Sequence, residues 1–115
     1  MTFGEYVNKK RLQQALTVKE LAERLDCSPT YIHDIEHDRR SPFSQSMLDR
    51  FVEVFDIKGD ELIEMYDSIS ESTGEVPRDI ADYIQSIPYL RSFLRVAIAR
   101  GYTEDDWREV FDLID

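Results

Sequence analysis

Two helix starts stand close together in this chain, and they constrain it more than any other feature. Thr17-Val18-Lys19-Glu20 is a capping box, with Thr at the N-cap and Glu three residues on. Ser28-Pro29 is a second start, a good N-cap followed by the residue best suited to the first helical position. The first start opens a short helix to about Leu25, with Val18, Leu21, Ala22 and Leu25 on one face. Asp26-Cys27 leaves room for only a tight turn. The second start opens a helix to about His37 that buries Ile32 and Ile35 and leaves Pro29, Thr30, His33, Asp34 and His37 outward. Two short helices joined this tightly must pack at an angle, and Ala22 at the crossing admits a close backbone.

The rest of the pattern is helical as well, with no sustained period-2 alternation. A first helix spans about Phe3 to Gln14, with a mixed face of Phe3, Val7, Lys10, Arg11 and Ala15, and Leu12 as a further apolar position. Ser41-Pro42 breaks the chain. A fourth helix spans about Ser46 to Phe55 with Met47, Leu48, Phe51, Val52 and Phe55 inward, and a fifth about Lys58 to Tyr66 with Leu62, Ile63 and Met65. Asp67 to Pro77 is small, polar and punctuated by Gly74 and Pro77, which is linker chemistry. Three more helices come after it: Pro77 to Ile87, burying Ile80, Tyr83, Ile84 and Ile87; Pro88 to Arg100, with Leu90, Phe93, Leu94, Ala97 and Ile98; and a last one capped by Thr103, with Trp107, Val110, Phe111 and Ile114. Gly101 reads as a helix stop. The expected organisation is all-α: a five-helix domain over residues 1–66, a linker over 67–76, and a short three-helix region over 77–115. That region has little interior for its apolar inventory, so part of it stays exposed in a monomer and a two-fold interface would cover it.

Charge bounds the function. The 115 residues carry a net −10, which argues against a nonspecific nucleic-acid binder. The distribution is uneven. Residues 1–55 hold eight basic and nine acidic residues, residues 56–115 six and fifteen. Phosphate contact is therefore expected from the N-terminal half alone. The start of the chain has no signal-peptide pattern and no run reaches membrane-span length, so the default expectation is a cytoplasmic protein with no membrane partner. One cysteine, Cys27, permits neither an internal disulfide nor a multi-cysteine zinc site.

His33-Asp34-Ile35-Glu36-His37 fits the H-x-x-E-H zinc-peptidase pattern and puts both imidazoles on one helical face. No other histidine exists as a third ligand, so a solvated or DNA-facing pair is the better reading. No nucleophile–base arrangement or Gly-rich phosphate loop is present, and the expectation is a protein without enzymatic activity, metal or cofactor.

The stretch "LTVKELAERLDCSPTYIHDIEHDRRSP" resembles the Cro/Xre-type, lambda-repressor-like helix-turn-helix of phage repressors and bacterial transcription regulators. The residues that carry the likeness are Leu16, Glu20-Leu21-Ala22, Leu25, Ser28, Tyr31-Ile32, Ile35-Glu36 and Arg39-Arg40, and it extends over about residues 3–66. The tail "VPRDIADYIQSIPYLRSFLRVAIARGYTEDDW" resembles a helical extension found in a subgroup of such regulators in Gram-positive bacteria and their mobile elements. The resemblance implies that Ser28, Pro29, Thr30 and Asp34 face base edges, with Thr30 meeting a base or thymine methyl and Asp34 accepting from a cytosine amino group. It places Tyr31, His33 and His37 on bases or phosphates, and Lys19, Arg39 and Arg40 on phosphates. It pairs Arg11 with Glu36. This chain departs from the family in having Val18 for a frequent Gln, Pro29 for a polar residue, and Asp38 for a Gly. Asp tolerates the left-handed backbone expected at 38 better than most residues. The function implied by the resemblance is that of a transcription regulator, a repressor, bound to double-stranded DNA as a homodimer. The alternative is a protein-interaction module, such as the antitoxin of a toxin–antitoxin pair, using its acidic C-terminal helices on a protein partner.

Overall fold

The computed structural model describes residues 1–115 and contains eight helices and no strand. They fall into two compact units, residues 1–78 and 79–115. No helix is long and apolar enough to cross a membrane.

The first unit holds α1 (Phe3–Gln13), α2 (Val18–Leu25), α3 (Pro29–Glu36), α4 (Gln45–Phe55) and α5 (Asp60–Thr73). Helix α1 packs on α3 and α5, and α2 packs on α3 and α4. Phe3, Tyr6, Val7, Leu21, Leu25, Ile32, Ile35, Phe51 and Met65 are fully enclosed between them. Local chemistry sets most of the ends. Thr2 and Thr17 each form a complete capping box, with Glu5 and Glu20. Backbone and hydroxyl donation by Thr17 lowers the Glu20 carboxyl below its usual range. Asp26 and Asp56 end α2 and α4 in the left-handed region.

Several expected inward positions are not inward. Leu12 is exposed, because it projects from the side of α1 opposite Phe3, Val7 and Lys10. Ala15 lies beyond the helix at φ 53°, on the exposed turn. Ile63 is exposed, while Leu62 and Met65 of that turn of α5 pack into the core. Tyr6, which the pattern did not single out, is among the most buried residues. Lys10 is buried along its stem and donates to Glu61 at 3.0 Å.

The largest difference is at the stretch read as a linker. Helix α5 runs on to Thr73 and stops at Gly74, whose φ is 73°. Two of its small polar residues make contacts that a linker would not. Ser68 is buried, with its hydroxyl donating to the Met65 carbonyl at 2.6 Å. Ser72 Oγ accepts from the Phe3 N–H at 2.8 Å, and Glu71 pairs with the terminal amine of Met1.

The second unit holds most of α6 (Arg78–Ser86), then α7 (Pro88–Ala99) and α8 (Glu104–Ile114). Helix α7 ends as its sequence implies. Gly101 takes φ 67°, and the Tyr102 N–H returns to the Ala97 carbonyl at 3.0 Å. Thr103 caps α8 in a box with Asp106. Trp107 meets the edges of Phe93 and Tyr102, with ring centres 5.9 and 5.4 Å apart. Ala97 is the one buried apolar residue here. Ile80 and Tyr83, expected inside, are exposed, because three short helices enclose almost no interior.

Candidate nucleic-acid interface

Helix α3 is held from three sides. Ser28 Oγ accepts from the Tyr31 N–H at 3.0 Å and Pro29 takes the first turn. Ile32 and Ile35 enter the core, and Ala22 and Leu21 of α2 close on them. The turn from α2 is sealed by the Cys27 N–H on the Ala22 carbonyl at 3.0 Å. Arg50 of α4 donates to the Leu25 carbonyl at 2.9 Å and so caps α2, a role the sequence pattern did not reveal. Cys27 is half-buried, and burial, with the neighbouring Asp26 charge second, pushes its thiol up, which makes it a poor nucleophile.

The C-terminal end of α3 is tied to α1. Arg11 Nε and Nη2 donate to Glu36 at 2.6 and 3.0 Å, and Nη1 donates to the Leu16 carbonyl at 2.9 Å. Asn8 adds a third donor to Glu36 at 2.8 Å. The bond to Glu36, more than its charge, raises the Arg11 guanidinium above its ordinary value against the opposing effect of burial. Asp38 has φ 57°, the left-handed position anticipated for it. Its carboxylate accepts from Thr2 Oγ1 at 2.8 Å and the Gly4 N–H at 3.1 Å, at the positive end of α1. Gly4 is required there, since a Cβ would stand 2.5 Å from the Ile35 carbonyl oxygen.

These ties decide what faces outward. Glu36 and Asp38 are turned onto α1, and Asp34 is partly buried beside Arg40. Ser28, Pro29, Thr30, His33 and His37 are exposed, as are Arg39, Arg40 and Lys19. Every acid between 34 and 38 is thus engaged, while the exposed residues of α3 and its C-cap are hydroxyls, imidazoles and Pro29, bordered by cations. Tyr31 is half-buried and stacked on Phe43 at 6.1 Å, so it belongs to the wall of the helix and not to its tip.

The two imidazoles lie 4.1 Å apart, with His37 Nδ1 donating to the His33 carbonyl at 2.8 Å. The Glu36 of the H-x-x-E-H spacing points the other way, into Arg11. No group of three or more His, Cys, Asp or Glu side chains able to hold a metal forms in the chain.

No curated protein and no solved structure matches this chain. The family model for the helix-turn-helix domain does, over residues 2–65, which takes in α1 to α4 and the opening of α5. That is more than half of the 115 residues, and the chain belongs to the helix-turn-helix domain family.

Proposed function

We propose that this protein is a sequence-specific DNA-binding transcription regulator of the Cro/Xre type, acting in the cytoplasm as a dimeric repressor without a cofactor. The observation that carries this is the outward side of α3, where no acid is left uncompensated. A helix meant for a major groove must not meet the phosphates on either side with bare carboxylates. In this reading Ser28, Pro29, Thr30, His33 and His37 enter the groove, Lys19 and Arg39 meet phosphates, and Tyr31, Asp34 and Arg40 form the flank. The test is selection of full-length protein on a random duplex pool. The expected product is a pair of half-sites about one helical turn apart. Arg39→Ala should weaken all sequences alike and lower the log–log salt slope by about 1. An unenriched pool would overturn the proposal.

A second reading rests on the C-terminal helices. They expose Tyr89, Phe93, Val96, Ile98 and Phe111 within the acidic half of the chain. A protein partner, as in an antitoxin, would cover such a surface. A tight stoichiometric partner together with no enrichment of DNA would favour it.

A further inference from the structure

Arg40 lies beyond the end of α3, yet its side chain returns to it. The Arg39 N–H donates to the Asp34 carbonyl at 2.8 Å, so the chain doubles back after Asp38. The guanidinium carbon of Arg40 then stands 5.4 Å over the Tyr31 ring. Its Nε is 3.7 Å from Asp34 Oδ2. Tyr31 is itself stacked on Phe43, which is buried in the core. The guanidinium therefore has a ring as a floor and a carboxylate as a wall. Its Nη groups have no hydrogen-bond acceptor in the chain.

A phosphate contact needs only a positive charge on a flexible stem. A planar fork with a ring beneath it and a carboxylate beside it suits a pair of acceptors on one planar edge. Exposed ion pairs of this kind add little stability, so stability is a weak reason for the arrangement. Asp34 comes one helical turn after Thr30 on α3, which sets Arg40 beside the side offered to the groove. Resting on the DNA-binding reading above, we infer that Arg40 reads a guanine through its O6 and N7 edge, with Asp34 and Tyr31 as positioning residues. Asp34 then serves the arginine and does not take a cytosine amino group.

The experiment is random-pool selection with the full chain, in wild type, Arg40→Ala, Arg40→Lys, Asp34→Ala and Asp34→Asn. Wild type should enrich a guanine at one position of each half-site. Replacing that base pair should cost between about fivefold and about a hundredfold in affinity. All four variants should lose the preference at that same position. Arg40→Lys should do so with its salt slope intact, because the charge stays and the fork goes. Adding Asp34→Ala to Arg40→Ala should change nothing further there. With 7-deazaguanine at the position, which lacks N7, wild type should weaken and Arg40→Ala should not. The inference is overturned if Arg40→Ala weakens every sequence alike while the selected site is unchanged. It is equally overturned if Asp34→Ala alters a different position from Arg40→Ala. A wild type that enriches no sequence overturns the regulator reading, and this assignment with it.

Discussion

Glu36 is a carboxylate almost out of water, with 3% of its side chain exposed and three N–H donors on it from Arg11 and Asn8. Arg11 is nearly as enclosed, at 13%. A pair in this position is a weak source of net stability when intact, but breaking it strands a charge and costs on the order of 3–5 kcal/mol. Glu36→Gln keeps the size and removes the charge, and it should lower the melting midpoint by roughly 10 °C or more. An unchanged midpoint in a thermal melt would show that the tie between α1 and α3 is not held by this pair. The partnership was legible in the sequence only through the family resemblance. Positions 11 and 36 share no helix, so no spacing rule connects them.

At the scale of elements, α2 and α3 are each eight residues long, too short to persist alone in water. Their caps and turn signals are strong because they must be, and those signals were readable at Thr17, Ser28 and Pro29. Helix α5 shows the opposite case. Ser68, Ser70, Ser72 and Thr73 are mediocre helix formers, and as a string they look like a linker. They are helical because the fold engages them: Ser68 is buried with its hydroxyl on the Met65 carbonyl, and Ser72 accepts from the Phe3 N–H at the start of α1. The segment therefore belongs to the first unit. A chain cut after Arg78 should melt cooperatively as a folded unit. A chain cut after Tyr66 loses the contacts at Phe3, and its midpoint should fall by about 4–8 °C for each kcal/mol removed. Equal midpoints for the two would show that residues 67–73 contribute nothing to the fold.

At the scale of the whole molecule, the second unit is short of interior. Phe93, Trp107 and Tyr102 cluster, yet Ala97 alone is buried, and Tyr89, Val96, Ile98, Leu113 and Ile114 are exposed. A single helix-turn-helix domain buries a small interface on DNA, and two copies related by a two-fold axis double it. The full chain should therefore sediment as a dimer at micromolar concentration, and residues 1–78 as a folded monomer with much weaker operator binding. A monomeric full chain, or a dimeric 1–78, would rule out dimerisation through the C-terminal helices. What the sequence determined by itself was the class, the helix order and most helix ends. Caps at Thr17, Ser28 and Thr103 and the stop at Gly101 act over four or five residues, so they need no tertiary context. Tertiary structure alone decided that Leu12 and Ile63 face solvent, that α5 continues to Thr73, and that Arg40 lies on Tyr31 beside Asp34. These outcomes depend on which surfaces meet across the fold or across a turn that ends a helix, and periodicity within one helix carries no record of that.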